Sequence, residues 1–368
     1  MRTHRFLLAA LFAVACACGK QADQNGQELP PDPEPVPQPV TVPAFARGAD
    51  VSWLSEMEGD KKTFKKKDGT QADLFDVLKD CGLDAIRLRV WVNPTGGWSG
   101  KEDVVALAKR TAAAGMCLMV DFHYSDFFAD PSRQTVPAAW DADKGDLNKM
   151  CQHVAEHTQE VLKALKEAGV APAWIQVGNE TRNGMLWPAG QLWNDKGDIA
   201  DGRKHFAQLY MAGYNAAKAV FPDAVVMPHL NNAYEDNAWW FKQIKEAGAT
   251  FDAIALSHYP QAESKFTAEA YNQKAVAQVK ALYSTFKVPV FISEVGVKAA
   301  RNDAAATLLS FMDAVKDFSG CAGVFYWEPE VYGNWKPKVY NALGWNAYDQ
   351  GAFAADGRPL AIMDAFNH

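Results

Sequence analysis

"WIQVGNETRN", residues 174–183, runs as an apolar strand and then presents an amide and a carboxylate, Asn179 and Glu180. A Glu at a strand end has a bland explanation, since strand ends meet solvent. It has another if the strand belongs to a parallel α/β barrel, whose working groups gather at the C-terminal ends of the strands. Glu180 then needs a partner from elsewhere in the chain, and the pattern on either side has to supply it.

Outward from that stretch, from about residue 45, short β-rich runs alternate with longer runs of helical period. The predicted strands are 45–52, 84–92, 116–124, 173–180, 224–230, 251–259, 288–294 and 322–329. Amphipathic stretches lie between them, among them "DLNKMCQHVAEHTQEVLKALKEAG" (146–169), which closes on a helix-ending glycine. Eight such units describe an α/β fold, a single (β/α)8 TIM barrel over residues 44–368. A doubly wound sheet would want a glycine-rich nucleotide loop after its first strand, and the sequence has none.

All eight runs end in polar or aromatic groups: Asp50 and Ser52; Arg87, Arg89, Trp91 and Asn93; Asp121 and His123; Asn179 and Glu180; His229; His258 and Tyr259; Glu294; Trp327 and Glu328. One polar strand end is unremarkable, but eight describe a cleft. Its best carboxylate pair is Glu180 and Glu294, because the ends of the fourth and seventh strands face each other across a barrel mouth. Glycosidic hydrolysis needs such a pair, one carboxyl to protonate the leaving oxygen and one carboxylate to attack or to activate water.

The formal net charge of −7 leaves no basic face for nucleic acid. Twelve Trp, eleven Tyr and twenty Phe supply core, and also the flat apolar rings on which sugars stack. Cys81, Cys117, Cys151 and Cys321 lack metal-ligand spacing and read as buried free thiols, although export permits a disulfide without demanding one. At the N-terminus, "MRTHRFLLAALFAVACACGK" has a basic start and an apolar stretch, Phe6 to Ala15, too short to span a bilayer. Residues 1–18 read as a lipoprotein-type signal peptide with Cys16 or Cys18 as the lipidated residue, and the Pro- and acid-rich residues 19–43 as a flexible tether. The expectation is an exported monomer, anchored to a bacterial membrane or cell surface only through that lipid.

An Asn-Glu ending strand four and a Glu ending strand seven is the pattern of the clan A retaining glycoside hydrolases. More narrowly, "RLRVWVNP" (87–94), "DFHYSDFFADPSRQ" (121–134), "QVGNET" (176–181), "ISEVG" (292–296) and "GVFYWEPE" (323–330) resemble glycoside hydrolase family 53, the endo-β-1,4-galactanases of pectin side chains. The resemblance implies cleavage of β-1,4-galactan or type I arabinogalactan, with Glu180 as acid/base and Glu294 as nucleophile. It also implies that Arg87 keeps the nucleophile ionised and Tyr259 orients it, that Asn179 meets a sugar 2-hydroxyl, that His229 and His258 line the floor, and that Trp327 is the platform under the sugar. Asp50, Arg89, Trp91, His123 and Asp126 are further candidates for the cleft. Trp345 belongs to the long loop after strand eight, which with Trp335, Tyr340 and Tyr348 is expected to build distal sugar subsites. Where some family members carry calcium after strand seven, this chain offers only Asp303, so neither a metal nor a cofactor is expected. Two rivals share features: a clan A mannanase or cellulase, which would keep both Glu residues, and a non-catalytic surface lipoprotein that holds glycan, which would have no reason to keep both carboxylates with Asn179.

Overall fold

The computed structural model describes residues 41–260 and 266–367. The signal peptide, Cys16, Cys18 and most of the tether lie outside them. The predicted strands are present as Ala46–Asp50, Ala85–Val90, Cys117–Phe122, Trp174–Val177, Val225–Met227 with His229–Leu230, Ile254–His258, Val290–Val295 and Cys321–Trp327. They pair parallel in chain order, and the first pairs with the eighth. The fifth is in two halves because Pro228 has no N–H to donate. One half pairs the fourth strand and the other the sixth, so this broken strand joins the two ends of the sheet into a barrel.

Successive side chains on a strand face opposite ways, so each strand sends every second residue into the barrel. At the N-terminal end these are apolar: Ala46, Ala85, Met119, Trp174, Met227, Ala255, Phe291 and Phe325 form one buried layer. Trp174 packs edge-on to Phe291 and Phe325, with ring centroids 5.6 and 5.9 Å away. Gly48 makes room for that layer, since a Cβ there would lie 2.1 Å from the Phe325 ring. Two residues further along, or four on the first strand, the inward set turns polar: Asp50, Arg87, Asp121, Gln176, His229 and Ser257, all buried. Register sets these groups side by side, with Asp50 beside Arg87, Arg89 beside Asp121, and Asp121 beside Gln176.

Strict alternation from Phe291 would bring Ser293 inward and turn Glu294 out. The register shifts by one residue between the sixth and seventh strands, so that Leu256 faces Ile292 but Ser257 faces Glu294. This bulge aims Glu294 into the barrel, a use of irregularity common beside active sites. The outer faces pack against helices such as Leu147–Glu167, whose N-terminus is capped by the Asp146 carboxylate accepting from the N–H groups of Asn148 and Lys149 at 3.0 and 3.2 Å. The four cysteines of the barrel are free thiols, three buried and Cys151 half-buried.

The fourth strand stops at Val177, earlier than 173–180 implied. Gly178 has φ +86° and Glu180 φ +46°, so both acidic and amide groups stand on a left-handed turn past the strand. Gly178 is required there, because a Cβ would meet Thr181 Cγ2 at 2.5 Å in addition to the unfavourable φ. Gly178→Ala should therefore cost about 1–3 kcal/mol in denaturant unfolding and lower kcat by displacing Glu180. An unchanged unfolding midpoint and kcat would show that the turn tolerates a side chain.

Candidate active site

Arg87 is fully buried at the centre of the polar layer. Its Nη1 donates to Asp50 Oδ2 at 2.7 Å and its Nε to Gln176 Oε1 at 2.7 Å. Its Nη2 faces Asp121 Oδ2 at 2.8 Å, Glu294 Oε1 at 2.9 Å and Asn179 Oδ1 at 3.1 Å. Burial works to raise Asp121, but Arg87 and His123 outweigh it and hold that carboxyl at about 2. His123 Nδ1 accepts the Ala129 N–H at 3.0 Å, which leaves the proton on Nε2 to meet Asp121 Oδ2 at 2.8 Å.

Glu294 Oε2 accepts from the Tyr259 hydroxyl at 2.8 Å and the Ser257 hydroxyl at 3.3 Å. Burial pushes its pKa above the ordinary value, while Arg87 and Tyr259 pull it back toward the ionised form. Arg87 thus opposes protonation without bringing the group below 4.5, a weaker hold than the sequence suggested. Glu180 lines the same cleft as Glu294, near enough to feel its charge. Burial and the neighbouring Glu294 charge push Glu180 up to about 8; the side chain keeps a part-exposed edge on the cleft, and water there tempers the shift. His229, which burial keeps neutral, spans Asn179 Oδ1 and Ser257 Oγ, each 2.9 Å from a ring nitrogen. Asn179 Nδ2 donates to Ala129 O at 2.8 Å and has one N–H left for a ligand.

Above these groups lies a cleft of about 340 Å³ lined by Glu180, Glu294, Asn179, Tyr259, His123, Phe128, Trp327, Tyr340, Trp345, Tyr348 and Gln350. Trp327 is its flat wall, with Tyr348 edge-on at 4.8 Å and Phe128 at 6.0 Å. A larger cavity of about 840 Å³, lined by Trp91, Trp98, Phe127, Phe128 and Arg133 among others, lies beside the cleft and holds neither acid.

Several expectations need correction. Asp50, Arg87, Arg89 and His229 lie beneath the floor with at most 1 % exposure, so they position other groups and do not touch substrate. His258 does not line the floor. It follows the inward Ser257, so alternation turns it out of the barrel, where Nε2 meets Asn272 Oδ1 at 2.8 Å and the ring packs on Phe311. Trp91 is buried against Trp53 and Phe128. Both Asp126 carboxylate oxygens are taken by backbone, the N–H groups of Asn93 and Ala138. Trp335 supports Trp53 and donates to Asp60, while Tyr340, Trp345 and Tyr348 of the same loop do reach the cleft. Asp303 is held by Arg301 at 2.9 and 2.6 Å. Gln176, Ser257, Phe128 and Gln350 were missed as site residues. Inward parity could have found the first two; the others depend on how loops fold.

The raised pKa of Glu180 has a stability consequence. The folded value, about 8, exceeds the unfolded value near 4.5, so unfolding releases a proton in that window and stability falls as pH rises through it. Glu180→Gln does not titrate. Its thermal midpoint relative to wild type should rise between pH 4.5 and 8 and level off above; a difference that stays constant with pH would show that Glu180 is not raised.

A family model described as glycosyl hydrolase family 53 matches residues 46–366. The arabinogalactan endo-β-1,4-galactanase of Cellvibrio japonicus is 34% identical over 316 residues, covering 77% of this chain and 80% of that one. An uncharacterized protein of Niallia circulans is 38% identical over 220 residues, and that match spans 59% of each protein's length. A solved structure from a study of two fungal β-1,4-galactanases superposes with a TM-score of 0.75 at 26% identity, over 88% of this chain and 99% of that one. With two acids lining one cleft at the mouth of a barrel, and a family match running from its first strand almost to its end, the chain belongs to glycosyl hydrolase family 53.

Proposed function

We propose that this chain is an endo-acting, retaining glycoside hydrolase that cleaves β-1,4-galactosidic bonds in galactan and type I arabinogalactan. The observation that carries the reading is that Glu180 and Glu294 line one cleft together with the Trp327 wall, Glu294 being held there by Arg87 and Tyr259. Family membership supports the substrate class, and the Cellvibrio japonicus relative and the superposed fungal structure are named as galactanases.

In the first step Glu180, protonated at neutral pH because of burial and its charged neighbour, gives its proton to the leaving oxygen. Glu294 attacks the anomeric carbon from the opposite side, and a glycosyl ester forms. Arg87 and the Tyr259 hydroxyl hold its carboxylate in place. Once the ester exists, the Glu294 charge is gone and the repulsion that kept Glu180 protonated is relieved. Glu180 then takes a proton from water, and the ester is hydrolysed with net retention.

Linear β-1,4-galactan, mannan and cellulose, incubated with the enzyme and followed by product sizing, should show cleavage of galactan alone, into oligosaccharides. Proton NMR of the early reaction should show the β-anomer of the new reducing end first, and a fluorinated galactosyl inactivator should label Glu294. An α-anomer first, or a label elsewhere, would overturn the role given to Glu294. Cleavage of mannan or cellulose in preference to galactan would favour the related clan A activities, and no cleavage of any would favour a glycan-holding role.

We also propose that the chain is exported and lipid-anchored through Cys16 or Cys18, on the basis of the basic start, the short apolar stretch and the small residues before those cysteines. Replacing both by Ser should release the protein from membrane fractions. Retention of the double variant, with no lipid found by mass spectrometry, would reject the anchor.

A further inference from the structure

Arg89 is left without a role in the chemistry above, yet it is as buried as Arg87. Its Nη1 donates to Glu328 Oε1 at 2.6 Å and lies 4.0 Å from Asp50 Oδ1. Its Nε and Nη2 find no hydrogen-bond partner among the described residues. In place of acceptors, its guanidinium carbon is surrounded by rings: Trp53 at 4.2 Å, Phe128 at 4.8 Å and Trp91 at 5.0 Å. A buried cation with one bonded carboxylate and three aromatic neighbours is costly to maintain, although the rings themselves attract it.

Two of its neighbours lead to the cleft. Phe128, on the loop after the third strand, has Arg89 behind it and Trp327 at 6.0 Å in front. Glu328 is the residue after Trp327. It has φ +51°, a conformation that a non-glycine residue adopts only when its surroundings impose it, and its N–H is tied to Asp50 O at 3.0 Å. One guanidinium therefore grips two cleft walls from distant loops, the first through the face of Phe128 and the second through the ion pair that fixes the turn after Trp327.

We infer that Arg89 and Glu328 are a positioning pair that sets the placement of Phe128 and Trp327 for the sugar ring in the cleft. The inference rests on the reading of the chain as a galactan hydrolase. Rings that stack on a sugar hold it in the ground state and the transition state alike, so misplacing them weakens binding more than the chemical step.

The test is steady-state hydrolysis of linear galactan by the full chain, after wild-type turnover of that substrate has been established; without that turnover it is the functional reading that fails. Glu328→Gln keeps shape and removes the ion pair. It should raise KM about tenfold and leave kcat within about threefold of wild type. Phe128→Leu should raise KM by itself, and adding Glu328→Gln to it should raise KM by less than about threefold more, because both walls are set through the one Arg89 guanidinium. If Glu328→Gln does not fold, Arg89→Lys carries the same KM readout, since it keeps a cation for Glu328 and loses the flat face toward Phe128. A KM within twofold of wild type alongside a lowered thermal midpoint would mark the pair as merely structural. A fall in kcat at constant KM, or full multiplication of the two KM effects, would equally overturn the inference.

Discussion

Arg87 has no contact with solvent, and side chains from the first, third, fourth and seventh strands take their places around its N–H groups. A cation that deep is tolerable only because acceptors converge on it, and those acceptors include three carboxylates. The dependence runs both ways: remove Arg87 and Asp50, Asp121 and Glu294 would face one another unshielded. The barrel supplies this convergence through register, since strands whose inward residues lie at one level bring their side chains to one point.

The same cluster carries more negative groups than positive. Asp50, Asp121, Glu294 and Glu328 meet Arg87 and Arg89, and Glu180 and Glu330 are added at the edge. A buried surplus of carboxylates is relieved by keeping protons. Burial with residual repulsion pushes Glu180 to about 8 and Glu330 well above its ordinary value; burial raises Glu328 as well, to about 7, but Arg89 pulls it back toward the carboxylate with which it pairs. An acid that still holds its proton at neutral pH is what the first half of a retaining mechanism requires. It follows from the charge balance of the whole layer, of which Glu294 is one part.

Most of the barrel was legible because period-2 and period-3.6 patterns are local, and the eight strand ends announce a cleft without any knowledge of the third dimension. What the sequence could not convey was parity where alternation breaks. His258 looked like a floor residue beside Tyr259, yet one step along a strand reverses a side chain, and only Ser257 and Tyr259 face in. Glu294 faces in because of a bulge at Ser293 that no propensity predicts. Arg89 resembled a substrate contact because it sits two residues from Arg87 on the same face; its depth, and the rings around it, depend on loops from remote parts of the chain.

The division of the barrel into an apolar end and a charged end explains where strain is stored. At the N-terminal end, Trp174, Phe291 and Phe325 fill the interior with close-packed rings, and no polar group there asks for a partner in the barrel. At the opposite end Tyr124, Glu180 and Glu328 all adopt positive φ just beyond their strands, each a position where an L side chain is unfavourable. Such turns persist only when neighbours over-determine them. Tyr124 is tied to Thr158 at 2.8 Å, Glu328 to Arg89 at 2.6 Å, and the Glu180 N–H to His229 Nδ1 at 3.3 Å. The packed end supplies the stability that lets the working end hold buried charges and unfavourable backbone. For this reason Glu180 and the Glu328 turn behind Trp327 stand just past strands four and eight, where the chain can leave the sheet and aim them, while Glu294 is aimed from within strand seven by its bulge.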